Sequence, residues 1–222
     1  PYSPFYIMMR DFAVLLVLIV VAGCIREEAP IVLDSVEVTD YEGEKLGSIQ
    51  DFRENSIKGP QNVDTSSYTL MVEGLVEEPK TYTYSEVLDG FQHYEKVVTI
   101  YCVEGWDVKL LWEGVLVGEI LEASNLDPQA NTIIFHAVDG YTTSLPVDYL
   151  MENDILLAYR MNNVTLPPER GYPFQLVAED KWGYKWIKWV TRIQASDDES
   201  YRGYWESRGY NQDADLDGPK FS

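Results

Sequence analysis

The residue best suited to chemistry in this 222-residue chain is Cys102. It follows a strand-like run at residues 97–101 and precedes a turn-like pair, Glu104 and Gly105. A thiolate at the end of a strand and beside a glycine loop suits either a nucleophile or a ligand for a soft metal. A buried structural cysteine is the alternative, because a free cysteine packs like a small hydrophobic residue.

Few other catalytic or metal-binding patterns accompany this cysteine. The chain has two histidines, His93 and His136, and the sequence contains no HExxH, CxxC or Cys/His cluster, which argues against a zinc site. A Cys102–His136 catalytic pair is an open hypothesis. His136 lies inside the apolar run 132–138, which favours a core histidine over a catalytic one.

The net charge of the chain limits the classes of molecule that it can bind. The net charge is −20, which argues against binding to nucleic acid or docking to anionic lipid through a basic face. One segment differs, because residues 160–192 carry six basic residues against three acidic ones. Within it, residues 181–189 alternate lysines with aromatic residues. This pattern is typical of a site for a planar anionic ligand such as a phosphate-bearing cofactor, and equally of an amphipathic strand with snorkelling lysines.

The N-terminus resembles an export signal. Residues 12–22 form an apolar run that is too short for a comfortable membrane span but has the length of a signal-peptide core. Residues 21–24 then resemble a lipoprotein cleavage box that ends in Cys24. We therefore predict a lipoprotein signal peptide at 1–24, a lipid on Cys24 and a tether with an N-terminal extension at 25–54; an uncleaved anchor is the alternative. Both place the domain outside the cytoplasmic membrane, and a lipidated Cys24 leaves Cys102 without a disulfide partner.

The elements that must position Cys102 are mainly strands. Period-two patterns predict strands at 31–39, 68–76, 97–103, 132–138, 155–161, 174–178 and 186–195. Helical patterns cover 83–88, 115–123 and 146–151, the first with a capping box from Thr83 to Glu86. Gly74 inside its strand indicates a bulge or a close backbone approach. Residues 40–64 read as loop, and residues 211–222 as a loose acidic tail. The fold class is α+β, strand-rich with short helices.

Several motifs, taken in order, resemble one family. They lie at residues 68–76, 101–106, 112–115, 139–146, 166–177, 182–190 and 203–205. Their order and spacing across residues 55–210 are similar to the oxidoreductase molybdopterin-binding domain, the sulfite oxidase fold family. The nearest resemblance is to small exported relatives of the methionine-sulfoxide reductase catalytic subunit. This resemblance implies a mixed, strand-rich sulfite-oxidase-type fold.

The resemblance also implies a molybdenum–molybdopterin cofactor and residues that hold it. Cys102 would be the thiolate ligand to molybdenum, beside two sulfurs from the dithiolene of the pterin. The implied cofactor contacts are Asn55, Ala137, Arg170, Gln175, Trp186, Ile187 and Lys188, the last three at the pterin phosphate. This chain departs from the reductase relatives, which carry an arginine where Gln175 stands and a threonine where Ala137 stands.

The implied function is that of an extracytoplasmic, lipid-anchored oxidoreductase. It would carry out oxygen-atom transfer, or a related two-electron reaction, on a small molecule or an oxidised side chain. Electrons would pass through a separate partner, such as a membrane haem protein, because this sequence has no CxxCH haem motif. The negative Glu104 and Asp107 beside the metal would disfavour sulfite. The alternative is a cofactor-free lipoprotein that uses the same fold as a binding module.

Overall fold

The computed structural model describes residues 36–222, and the predicted signal peptide, Cys24 and residues 25–35 of the predicted tether and N-terminal extension lie outside the described residues. Residues 36–39, the described end of the predicted first strand, are not a strand. The first two strands are β1 (Asp40–Tyr41) and β2 (Glu44–Lys45), which pair as a short antiparallel hairpin. Within the described part of the chain, no helix is long and apolar enough to cross a bilayer.

Two five-stranded sheets and three short helices form the domain. The other strands are β3 (Thr69–Gly74), β4 (Lys80–Thr83), β5 (Tyr94–Tyr101), β6 (Asp107–Leu116), β7 (Thr132–Ala137), β8 (Thr142–Pro146), β9 (Leu156–Met161), β10 (Val164–Thr165), β11 (Gln175–Val177) and β12 (Val190–Ser196). The helices are α1 (Tyr84–Gly90), α2 (Val117–Ala123) and α3 (Val147–Glu152). The predicted α+β, strand-rich class is confirmed.

One sheet carries the cysteine and the other supports it. The first sheet has the order β10-β9-β6-β5, with β11 also paired to β9. The second has the order β4-β3-β12-β7-β8, in which only the β12–β3 pair is parallel. Side chains from both sheets belong to one hydrophobic core, to which Trp112 and Leu110 contribute from the first sheet and Phe135 and Ile193 from the second. This shared core gives the end of β5 a rigid base.

Several local predictions are confirmed. Thr83 caps α1 in a complete capping box with Glu86. Gly74 has φ +88°, and a Cβ there would lie 2.1 Å from the carbonyl oxygen of Ala195 in β12. The expected close backbone approach is therefore real, and it lies where β3 runs beside β12.

The hairpin of β1 and β2 lies within residues 40–64, which the sequence predicts as loop. Strands β6 and β12 differ in extent from the sequence prediction. Residues 115–123 were expected to be helical, yet β6 continues to Leu116 and α2 begins only at Val117. Strand β6 is central and buried along most of its length, so it lacks the alternation that marks a half-buried strand. The strand predicted at 186–195 begins only at Val190, because Trp189 has φ +55° and interrupts the extended backbone. The residues just before it, Gly183–Lys185, form a 3-10 turn.

The predicted loose tail is wrong as a description of residues 211–222. The Trp182 backbone NH donates to Ala214 at 2.8 Å, and the Leu216 NH donates to Asp180 at 3.1 Å. Lys181 forms an ion pair with Asp215. Acidic composition suggested a solvated end, but these bonds attach the segment to the loop that precedes the 3-10 turn.

Candidate cofactor site

Cys102 lies in the turn that joins β5 to β6. The two strands pair up to Tyr101 and Asp107, which face each other across the ladder. The Cys102 backbone NH donates to the carbonyl of Trp106 at 2.9 Å, and the Gly105 NH donates back to Cys102 at 3.0 Å. Gly105 has φ +91°, which explains why this tight turn uses glycine. The hairpin thus fixes the position of the cysteine from both strands.

The thiol of Cys102 is enclosed but reachable from one side. The residue is 8% exposed, and its Sγ lies 3.7 Å from Nδ2 of Asn55. Burial raises the pKa of the Cys102 thiol, and the charge of Glu104 acts in the same direction. The hydrogen bond from the Glu104 backbone NH, and a smaller one from Asn55, oppose the shift. Burial therefore favours the protonated thiol, and a bound metal would displace that proton.

A cavity of about 270 Å³ opens beside Cys102. Seven of the eight predicted site residues line it: Asn55, Cys102, Arg170, Gln175, Trp186, Ile187 and Lys188. Ala137 is not in the cavity wall, although Asp139 and Tyr141 from the same turn are. Residues from the 52–57 loop, the β5–β6 turn and the 183–189 segment therefore face one space.

Arg170 is a buried cation in this wall. Its Nε donates to the carbonyl of Ile49 at 3.1 Å, and one terminal nitrogen donates to Phe52 at 2.6 Å. The guanidinium carbon lies 3.8 Å above the centre of the Phe52 ring. No carboxylate in residues 36–222 forms an ion pair with it, and burial lowers its pKa. Arg170 therefore keeps positive charge available to the cavity while it holds the loop at 49–52.

The three lysines of the basic segment have different surroundings. Only Lys188 lines the cavity, where its Nζ contacts Glu54 at 2.6 Å and the carbonyl of Glu169 at 3.1 Å. Lys181 is engaged by Asp215, and Lys185 is fully buried against Glu206. The segment is thus neither a uniform basic face nor a strand. A single ammonium from it reaches the cavity.

Histidine plays no part in this arrangement. Nδ1 of His136 contacts Arg192 at 2.9 Å, and its Nε2 contacts Gln194 at 3.0 Å. Burial and the charge of Arg192 lower its pKa. His136 does not line the cavity, so the hypothetical Cys102–His136 pair is not formed. No group of three or more metal-binding side chains occurs in residues 36–222, so Cys102 is a single soft donor.

Comparison with known proteins identifies the family. The sequence profile of the oxidoreductase molybdopterin-binding domain matches residues 57–205. The chain belongs to this family. The predicted enzyme class, an oxidoreductase of the molybdopterin-binding family, is thereby confirmed.

The relatives agree with this assignment. The chain is 35% identical over 157 residues to an uncharacterized oxidoreductase, YuiH, of Bacillus subtilis, covering 70% of this chain and 78% of that protein. It is 28% identical over 152 residues to the protein-methionine-sulfoxide reductase catalytic subunit MsrP of Xanthomonas axonopodis pv. citri, covering 62% of this chain and 47% of that one. The chain thus spans about half the length of that subunit.

A solved structure shares the fold. The sulfane dehydrogenase SoxCD of Paracoccus pantotrophus superposes with a TM-score of 0.64 at 20% identity, covering 84% of this chain and 58% of that chain. At this identity the likeness establishes the fold alone. It agrees with the sulfite-oxidase-type architecture expected from the sequence motifs.

The residues of this family member fit a molybdopterin. A cofactor that brings its own sulfurs needs only one further soft donor from the protein, and Cys102 would be that donor. Five buried polar side-chain atoms lack a partner among the described residues, and two of them, Oε1 of Gln175 and Oγ of Ser56, belong to residues that line the cavity. Buried polar atoms without partners are costly, so they mark places where a ligand can bond. Arg170 and Lys188 supply positive charge for a phosphate.

Some cavity residues had weak sequence signals. Trp106 lies beside Phe52, with ring centres 5.7 Å apart, and its Nε1 donates to Glu104 at 3.3 Å. Trp205 and Tyr210 line the cavity from the C-terminal side. The Gly-Tyr-Trp motif at 203–205 pointed to that segment, whereas nothing in the sequence singled out Phe52. Its position depends on Arg170, a contact between distant parts of the chain.

Proposed function

We propose that this protein is an extracytoplasmic, lipid-anchored molybdenum–pterin oxidoreductase that carries out oxygen-atom transfer, or a related two-electron reaction, on a small molecule or an oxidised side chain. One observation carries the proposal. A single soft donor, Cys102, shares a cavity with three basic residues and with the unpartnered Oε1 of Gln175. The basic residues are Arg53, Arg170 and Lys188. Family membership supplies the class of cofactor that such a cavity suits.

Each part of the chain has a role in this proposal. Cys102 would hold the metal as a thiolate, and Asn55 directs a hydrogen-bond donor at its sulfur. Lys188 and Arg170 hold the phosphate end, together with the backbone of Trp186 and Ile187. When bound, the cofactor supplies two-electron redox chemistry at molybdenum.

The substrate end of the cavity is acidic and aromatic. Of the charged residues that line the cavity, Glu104 is nearest to Cys102 in the sequence. Nε1 of Trp106 donates a hydrogen bond to its carboxylate. Asp107 is exposed and lies outside the cavity wall, so the expected repulsion of anions is assigned to Glu104 alone. A fixed negative charge disfavours an anionic substrate such as sulfite. Neutral oxides with apolar groups suit the neighbouring rings better.

The proposed electron partner is a separate protein, for which a membrane haem protein is a suitable class. Two facts support it: the sequence has no CxxCH motif, and the MsrP relative is named as the catalytic subunit of its reductase. The proposed anchor depends on the sequence of residues 12–24, with the lipid on Cys24. Both partners are consistent with a domain that works at a membrane surface.

Metal analysis tests the proposal directly. We expect the protein, expressed in a host that makes molybdopterin, to contain about one molybdenum and one pterin per chain. Cys102→Ser should lose most of the metal, because a hydroxyl is a poor donor for a soft site. Cys24→Ser serves as the matched control and should keep the metal. A parent protein without molybdenum and pterin would refute the proposal and favour the cofactor-free binding module.

A further inference from the structure

A fully buried ion pair lies behind the cofactor cavity. The side chains of Lys185 and Glu206 are both 0% exposed, with Nζ and Oε1 2.6 Å apart. Lys185 also donates to the carbonyl of Ser144 at 2.9 Å, and the hydroxyl of Thr143 donates to Glu206 at 2.6 Å. The pair therefore joins three segments: the 3-10 turn at 183–185, strand β8 and the C-terminal segment.

Stability alone is a weak reason for such a pair. Removing two charges from water costs several kcal/mol per ion, and apolar replacements of buried pairs are often neutral or stabilising. Burial lowers the pKa of Lys185, while the charge of Glu206 opposes that shift. Oε2 of Glu206 has no hydrogen-bond partner among the described residues, so the pair is incompletely satisfied.

The position of the pair suggests what it does. Lys185 is followed at once by Trp186, Ile187 and Lys188, the segment that lines the phosphate end of the cavity. Glu206 follows Trp205 and precedes Tyr210, which line the C-terminal side. Neither charged residue is in the cavity wall itself. The ion pair thus connects two walls of one cavity.

A second contact points the same way. The hydroxyl of Tyr141, another cavity residue, donates to the carbonyl of Tyr184 at 2.5 Å. The 183–185 turn is therefore held from β8, from the 137–141 turn and from the C-terminal segment. Such support fixes the backbone of the turn, which is what a phosphate site built from backbone groups requires.

We propose that Lys185 and Glu206 are positioning residues that hold the 186–188 segment and the Trp205–Tyr210 wall in the arrangement that retains the cofactor. The identity of the retained ligand rests on the proposed function. The structural order of the 186–188 segment does not rest on the proposed function, because it is measured on protein without cofactor. The pair contacts neither the ligand nor the reacting atoms, so it acts only through the walls.

The first measurement is local hydrogen exchange of the apo protein. We compare the parent with the double variant Lys185→Met/Glu206→Leu, which removes both charges and fills the space with apolar atoms. Amides of residues 186–188 should exchange at least about 10-fold faster in the double variant, while amides of the central strand β6 should exchange at the parental rate. Glu73→Leu/Arg192→Met removes another ion pair, which joins β3 to β12, and should leave residues 186–188 unchanged.

The second measurement is retention of the cofactor. The double variant should release molybdopterin at least about 10-fold faster than the parent during dialysis, followed by pterin fluorescence. Parental exchange at 186–188 in a folded double variant would overturn the proposal and leave the pair as packing only. If the double variant does not fold, Glu206→Gln decides the question, because it keeps the shape and removes one charge. Parental exchange in that variant would also overturn the proposal.

The two proposals fail in different ways. A parent protein that contains no molybdenum contradicts the proposed function but still permits the exchange measurement on residues 186–188. A parent protein that contains molybdenum, with a double variant that exchanges and retains cofactor as the parent does, contradicts only the role of Lys185 and Glu206.

Discussion

At the scale of single residues, the central feature is the buried thiol of Cys102. Burial raises the pKa of this thiol. A catalytic cysteine nucleophile would need the opposite shift, because the thiolate is the reactive form. The environment of Cys102 therefore argues against an activated nucleophile.

Alkylation measures this state of the thiol. In apo protein that carries Cys24→Ser, Cys102 should react with iodoacetamide at pH 8 at least about 10-fold more slowly than glutathione, because it is buried and its pKa is raised. Unfolding in guanidinium should restore the full rate. A folded protein that reacts as fast as glutathione would indicate an activated nucleophile instead.

A second feature at this scale is the positive charge in the cavity wall. The family resemblance implies an arginine where Gln175 stands, and a second implied contact, Arg170, lines the same cavity. Arg170 therefore keeps a guanidinium in the cavity without an arginine at 175. The substitution at 175 alone does not remove the charge that a phosphate needs.

Exchanging the two side chains tests this view. Arg170→Gln should release the cofactor at least about 10-fold faster, because it removes a charge-assisted partner for phosphate. Arg170→Gln/Gln175→Arg should recover part of that loss. Arg160→Gln is the matched control, since Arg160 pairs with Glu113 and does not line the cavity. Parental retention in Arg170→Gln would remove Arg170 from the site.

At the scale of elements, strand β6 fixes the far side of the cysteine turn. It pairs with β5 on one side and with β9 on the other, with a register shift between Glu113 and Gly114. A Cβ on Gly114 would lie 2.5 Å from the carbonyl oxygen of Leu157 in β9. The glycine is thus needed for two backbones to approach, although in sequence it resembles a strand breaker.

Two alanine substitutions test whether a glycine is needed for the close approach of two backbones. Gly114→Ala should destabilise the fold by about 1–3 kcal/mol, because the new Cβ collides with backbone that cannot move easily. Gly118→Ala, in helix α2, should be neutral or stabilising by up to about 1 kcal/mol, because the nearest atom is 3.6 Å away. Chemical denaturation measures both free energies of unfolding. Equal effects would contradict this account.

At the scale of the whole molecule, the net charge is −20. Electrostatic repulsion from anionic lipid disfavours binding through such a surface. The proposed attachment to a membrane therefore depends on the proposed lipid on Cys24.

Fractionation tests this proposed attachment. The parent protein should sediment with membranes and incorporate radiolabelled palmitate, whereas Cys24→Ser should do neither, because the lipidated residue is gone. Cys102→Ser should fractionate as the parent does, since it alters only the cavity. Palmitate in the Cys24→Ser variant would place the lipid elsewhere.

The amino-acid sequence by itself determined the class of fold and the family, through strand periodicity and short motifs in a fixed order. The family resemblance then implied eight site residues, of which seven line the cavity. Strand β6 escaped prediction because it is buried on both faces, and a buried strand and a buried helix can share one apolar pattern.

Only the tertiary structure decided which contacts each of three similar lysines makes. Lys181, Lys185 and Lys188 look alike in the sequence, yet one pairs with the C-terminal segment, one is buried against Glu206, and one reaches the cavity. Their partners lie between 21 and 134 positions away. Burial and pairing between such distant segments set the charge and position of each group, and no local pattern records them.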